Sequence, residues 1–279
     1  MANPNHPKYR RIVVQIDTSS SYSEVFHVAV DIAVKLGAEL HGVFVEDKNL
    51  LNIGGLDFVR EFSQFMPTAQ NLDSSRLEEQ LKALARRARS QLEQEAVSRN
   101  ITAGFHTVRE EFGSESATIV ADVDLIIIER TSRSLLPSTL FLLPQDKAGQ
   151  QAVRPILLLK GDRTLSGPLV VLCDSQGSLQ SCLNVGSSLV QTEKQEILVL
   201  PCIATASDDG LLVENLKGIA RDAAANIRIA SPVKPEAEVI FSRLSASNNL
   251  LILARNGTLT RDRILLQKLI ESRHPILFV

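Results

Sequence analysis

One strand pattern occurs twice in this chain and opens the same succession of elements each time. Arg11-Ile-Val-Val-Gln-Ile-Asp17-Thr18-Ser19 is an apolar, β-branched run closed by an aspartate and hydroxyls. Leu169-Val-Val-Leu-Cys-Asp174-Ser175 repeats it, with Asp174 lying 157 positions after Asp17. Short, almost wholly apolar runs suit strands buried on both faces of a parallel sheet. The first is followed by Val25, Val28, Ala29, Ile32, Ala33 and Leu36, spaced for one face of a helix. Gly37 then stands where a helix C-cap belongs.

The two copies continue in parallel. Second strands are expected at Glu39–Val45 and Glu196–Leu200, and third strands near Thr102–Arg109 and Asn226–Ser231. Fourth strands are expected at Asp124–Ile128 and Asn249–Leu253, and fifth strands at Arg154–Leu159 and His274–Phe278. Between the second and third strands the copies diverge. The first carries a long helix from about Ser75 to Ser98, with Ser75 and Glu78 as a capping box. Leu77, Leu81, Leu84, Ala88 and Leu92 form its apolar stripe, and Arg86, Arg87, Arg89, Glu93 and Glu95 its outer face. The second has a shorter helix near Leu211–Ala225.

A repeat of this length is a duplicated domain, not a solenoid. Alternating strands and helices make each copy a doubly wound parallel α/β sheet. The expected units are 1–162 and 163–279, joined by the polar, Gly- and Pro-bearing stretch Lys160–Pro168. Each fifth strand opens with X-Pro, which belongs at a strand's first residue or on an edge. Pairing the two fifth strands would hide two edges at once, so a pseudo-two-fold arrangement within one chain is expected, with further homodimerisation left open.

Bulk properties narrow the function classes. The net charge is −2, so neither nucleic acid nor an anionic membrane surface is an expected partner. Cys173, Cys182 and Cys202 form neither a CxxC pair nor an even set, which argues against a disulfide scaffold or a zinc site. The polar start Met-Ala-Asn-Pro-Asn-His-Pro lacks a signal peptide's apolar core, and no run long enough for a membrane span occurs. The expected compartment is the cytoplasm.

The layout resembles the universal stress protein family in its tandem form, over nearly all of residues 9–279. The resemblance rests on Val13-Val-Gln-Ile-Asp17-Thr-Ser19, Leu36-Gly-Ala-Glu-Leu-His-Gly-Val-Phe-Val-Glu-Asp47, Asp124-Leu-Ile-Ile-Ile128, Arg154-Pro-Ile-Leu157, Val170-Val-Leu-Cys-Asp174-Ser175 and the last thirty residues. It implies a Rossmann-like fold in each unit. Members that bind ATP set the first-strand Asp near adenosine and hold the phosphates with a loop patterned G-x-x-G, nine residues, then G-[ST]. Glycines there let backbone N–H groups approach phosphate oxygens beside a helix N-terminus. By that resemblance the candidate ligand contacts are Asp17, Thr18, Val45, Asp174 and Gly257.

Both loops are degenerate. In the second copy Ala254 replaces the first glycine, Gly257 matches the second, and Gln267 and Lys268 replace G-[ST]. In the first copy Glu129, Ser132, Leu142 and Leu143 hold the four places, and Phe141–Pro144 reads as packing. A carboxylate at Glu129 would repel a triphosphate, since two unit charges ~4 Å apart interact by about 4 kcal/mol at an effective dielectric near 20. For Asp17 and Asp174 a helix cap or turn tie competes with a retained nucleotide contact. For Gly257 a plain turn competes with a phosphate contact. Arg255, Arg261, Arg263 and Lys268 read as a solvated helix face or an anion grip.

No metal or nucleophile constellation appears. His6, His27, His41, His106 and His274 show no metal-type spacing, although His41 and His106 fall on neighbouring strands and can face one another. No G-x-S-x-G elbow or P-loop occurs, Ser19–Ser23 has no evident base, and Cys173 reads as a buried structural thiol. Residues 50–66 place Leu50, Leu51, Ile53, Leu56, Phe58, Val59, Phe62, Phe65 and Met66 in a connector broken by Gly54-Gly55. That segment is a lid over its own domain, a flap over a small-ligand pocket or a protein-docking patch. The reading is a non-enzymatic stress-response or regulatory protein without strong ATP binding, metal or cofactor. The alternatives are an ATP- or AMP-binding switch with weak ATPase activity and a small-ligand sensor using the first unit's pocket.

Overall fold

The computed structural model describes residues 9–16, 22–47, 60–63, 66–71, 74–110, 123–129, 154–159, 165, 167–190, 195–203, 209–222, 226–244 and 249–279. The first half runs β1 (Arg11–Ile16), α1 (Tyr22–Leu36), β2 (Glu39–Asp47), β3 (Arg60–Ser63), β4 (Met66–Asn71), α2 (Ser74–Ser98), β5 (Ala103–Glu110), β6 (Leu125–Glu129) and β7 (Ile156–Leu159). The second runs β8 (Leu169–Cys173), α3 (Gln176–Leu189), β9 (Ile197–Pro201), α4 (Asp209–Asp222), β10 (Ile227–Ile229), α5 (Ala237–Ser242), β11 (Leu250–Leu253), α6 (Thr258–Arg261), α7 (Arg263–Glu271) and β12 (Ile276–Phe278).

Ten strands form one sheet, ordered β10-β9-β8-β11-β12-β7-β6-β1-β2-β5. From the centre outward each half lays down its fifth, fourth, first, second and third strand. This is the doubly wound order. All neighbours are parallel except the central pair β7 and β12. There Ile156 faces Phe278, Leu157 faces Leu277 and Leu158 faces Ile276, and all are buried. Antiparallel pairing of two equivalent strands places a local two-fold at the seam. The prolines fit as the sequence suggests. Pro155 and Pro275 precede the strands, and their carbonyls accept from Ile126 (3.0 Å) and Leu251 (2.9 Å) without a donor being needed in return.

The sheet's buried residues divide into two cores, one on each face. One is built by α1, α2, α3 and Leu216 of α4 against Ile12, Val14, Leu40, Val171 and Ile252. The other is built by α5, α6 and α7 against Val170, Leu172, Leu251 and Leu253. Gly37, which closes α1, has φ of +63°, a conformation side chains with a Cβ rarely adopt. On the first core's face the halves also meet through Lys35 at the end of α1. Its Nζ donates to the carbonyl of Leu189 at the end of α3 (2.9 Å).

Two expectations need adjustment. Helix α2 begins at Ser74, so Ser75 lies inside its first turn and is not the cap, while Glu78 pairs with Lys82 (3.6 Å). Its inward stripe is Leu81, Ala85, Ala88, Leu92 and Ala96, with Leu77 and Leu84 only half-buried, because a 25-residue helix drifts across the sheet face it covers. Within 50–66, residues 60–63 form an antiparallel hairpin with 66–71. The rest of that segment, like Asp17, Thr18 and Phe141–Pro144, lies outside the described residues. His41 and His106 do stack, with ring centroids 5.9 Å apart and planes at 8°. No described helix is long and apolar enough to cross a membrane.

Candidate anion site at the second switch point

Doubly wound sheets bind ligands at the carboxyl ends of the strands where the winding reverses. Here those crevices lie between β1 and β6 and between β8 and β11. Asp174 follows β8 directly, and Ala254 and Gly257 follow β11, so the sheet brings two of the sequence's candidates, Asp174 and Gly257, to one point.

Helix α3 does not need Asp174. Ser175 caps it, accepting from Ser178 N–H (3.2 Å) while the Ser178 hydroxyl accepts from Ser175 N–H (3.1 Å). Asp174 is thereby left to reach across the crevice. Its Oδ2 accepts from the hydroxyl of Thr258 (2.6 Å) and from the backbone N–H groups of Thr258 and Leu259, the latter at 3.3 Å. The cap that the sequence assigns to the adjacent helix is made instead to α6, 84 positions onward. Burial by itself raises the Asp174 pKa. The hydrogen bonds from the Thr258 and Ser178 side chains and the Thr258 and Leu259 amides outweigh it and hold the carboxyl below its ordinary value.

Gly257 serves this contact by having no side chain. A Cβ there would lie 2.9 Å from Asp174 Oδ2 and 3.3 Å from the carbonyl of Ala254. Its φ of −73° is open to any residue, so close approach is what requires glycine. Two further amides of the turn are also engaged. Arg255 N–H donates to Val279 O (2.7 Å) and Gly257 N–H to Ala254 O (3.2 Å). Thr260, buried beneath, directs its hydroxyl at the carbonyls of Arg255 (2.7 Å), Gly257 (3.0 Å) and Ala254 (3.2 Å).

The positions aligned with G-[ST] do not border this turn. Asp262 starts a new helix, α7, accepting from Ile264 N–H (3.0 Å) and Leu265 N–H (3.1 Å). Gln267 and Lys268 therefore fall in its second turn. Gln267 bonds Glu271 (2.8 Å), and Lys268 bonds Glu238 of α5 (2.6 Å). Arg261 and Arg263 are exposed. Arg255 is half-buried, desolvation lowers its pKa, and its guanidinium reaches Arg154 O (3.5 Å).

In the first half Val45 is buried on β2 and Glu129 is buried at the end of β6. They flank β1 on opposite sides, two strand spacings or roughly 9.6 Å apart. Among the described residues no group of three His, Cys, Asp or Glu is placed to hold a metal. Sequence reasoning missed Thr258, Thr260 and Asp262. Only Asp262 carried a local signal, an N-cap residue just ahead of a periodic apolar run.

No family model and no curated protein matches this chain. Its structure is similar to that of a universal stress protein from Archaeoglobus fulgidus, at TM-score 0.66 and 12% identity over 98% of this chain and 97% of the other. It is similar to a putative universal stress protein from Pseudomonas aeruginosa, at TM-score 0.56 and 15% identity over 97% and 93%. A functionally unknown protein from the same species matches at TM-score 0.52 and 16% identity over 97% and 92%. Identity at this level speaks to architecture: the chain has the universal-stress-protein fold in tandem form, two doubly wound units running as one continuous sheet.

Proposed function

We propose that this protein is a universal-stress-protein-type regulatory or scaffolding protein that acts without holding ATP and without catalysis. The observation that carries the reading is the Asp174–Thr258 contact. A triphosphate seated after β11 would need the amides of Thr258 and Leu259, and Asp174 already occupies them. Binding would require breaking those bonds and placing an anion beside a carboxylate, a repulsion of about 4 kcal/mol at ~4 Å and an effective dielectric near 20. Lys268, the cation nearest in alignment to the phosphate-holding positions, is engaged with Glu238. In the first unit Glu129 holds a carboxylate at the end of β6, where a first loop glycine would lie.

A cytoplasmic location accords with this reading. Thermal unfolding with millimolar magnesium–ATP tests it. The expected result is an unchanged midpoint. A ligand at 100 times its dissociation constant contributes about 2.7 kcal/mol, so a rise of several degrees would overturn the proposal in favour of a nucleotide switch.

A further inference from the structure

Among the described residues the outermost strand of the first half, β5, pairs on one side only, with β2. Leu40 N–H donates to the carbonyl of Thr102, which fixes the phase of the strand. In a strand each residue directs its N–H and C=O to the same side, and successive residues alternate. The backbone groups of Ala103, Phe105 and Thr107 therefore face outward, and no described strand pairs with them. An edge of eight residues that no described strand covers is a template for strand addition unless something blunts it.

Beside this edge runs a groove of about 740 Å³, lined by Lys82, Arg86 and Arg89 of α2, by Phe105 and Thr107 of β5, and by Glu46. The three cations sit at i, i+4 and i+7 on the flank of α2 that faces away from α1. The opposite flank meets α1 through Glu95 and His27 (3.7 Å) and is continued by Arg99 with Asp31 (3.1 Å). Lys82 and Arg89 have partners on their own helix, Glu78 (3.6 Å) and Glu93 (2.8 Å). Arg86 stands between these pairs, exposed, with no described acid on it. An incoming carboxylate thus meets one guanidinium with no acidic partner among the described residues and two cations that can exchange partners.

We propose that β5 and this basic row form a docking edge for an extended acidic segment of a partner protein, which adds as an eleventh strand and sets its carboxylates against Arg86 and its neighbours. Backbone pairing would supply affinity, and the cations would choose the sequence. The charge pattern also argues against a second copy of this chain. Two-fold pairing of β5 with itself would bring two α2 helices side by side on one face, basic row against basic row. The inference is independent of how the crevices treat ATP.

The test uses the full chain and two fluorescein-labelled eight-residue peptides, one alternating Glu with Val and one alternating Lys with Val, read by anisotropy at low and high salt. The Glu peptide is expected to bind saturably, more weakly as salt rises, and the Lys peptide not at all. Arg86→Glu, an exposed substitution, is expected to weaken binding about tenfold. Thr107→Pro removes one outward N–H, a change edge strands tolerate, and is expected to weaken it too. Thermal melts check that both variants fold, and hydrogen exchange on wild type should show new protection at Phe105 and Thr107 when peptide is added. No binding of the Glu peptide at millimolar concentration overturns the proposal. So does binding indifferent to both substitutions. A wild-type dimer in sedimentation that Thr107→Pro dissolves would assign the edge to self-association instead.

Discussion

Asp174, at the end of one strand, accepts the hydroxyl and amide protons of Thr258, at the start of a helix 84 positions away. The contact spans the crevice in which folds of this kind hold ligands, and it is made of the chain's own groups.

Removing that carboxylate should cost stability. Asp174→Ala is expected to lower the unfolding free energy by about 1–2 kcal/mol, the usual cost of losing a helix cap, as read from urea denaturation. The effect has a defined pH dependence. Because the folded carboxyl titrates below its unfolded value, its contribution is fully present above the unfolded pKa of about 3.9 and is lost as pH falls through the lower, folded value. Wild type and variant should therefore differ at pH 6 and converge as pH falls below the unfolded value.

Gly257→Ala is expected to destabilise by about 1–3 kcal/mol through crowding, because the new methyl would lie 2.9 Å from Asp174 Oδ2. In the Asp174→Ala background the same substitution should cost less. A double-mutant cycle reads that coupling. Purely additive costs would mean the glycine serves something other than Asp174.

Lys35 is held by Leu189 across the seam between halves, and burial lowers its pKa to about 8. Between that value and the unfolded one, near 10.4, the unfolded chain binds more protons, so stability from this group rises with pH. The difference between wild type and Lys35→Met should accordingly move in favour of wild type from pH 8 to pH 10. Chemical denaturation across that range is the check.

The three cysteines are buried, and desolvation pushes Cys182 and Cys202 up to about 12 and Cys173 further still. Since the thiolate is the nucleophile, a disulfide reagent at pH 8 should leave native protein unmodified and titrate all 3 cysteines once it is unfolded. Rapid reaction in the native state would place at least one thiol at the surface.

The sheet was legible in the sequence because its inner strands, β1, β6 and β7 in one half and β8, β11 and β12 in the other, are short, apolar runs that recur in one order. The antiparallel seam followed from Pro155 and Pro275, which mark strand starts that need no donor. Helix boundaries were less legible. Ser75 has the residue type of a cap, but the helix starts one residue earlier, and side-chain type alone does not set that phase. The fate of Asp174 was hidden for a different reason. Its choice between its own helix and a distant one depends on the register of β8 against β11 and on Ser175 having taken the nearer cap. Counting nine residues from Gly257 to Gln267 likewise assumes an unbroken loop, whereas Asp262 starts a helix inside it.

A crystal structure of the protein grown with millimolar magnesium–ATP tests the central claim most directly. The account predicts that Asp174 remains on the amides of Thr258 and Leu259, with no nucleotide in that crevice. A triphosphate bound to those amides, with Asp174 swung away, would contradict it.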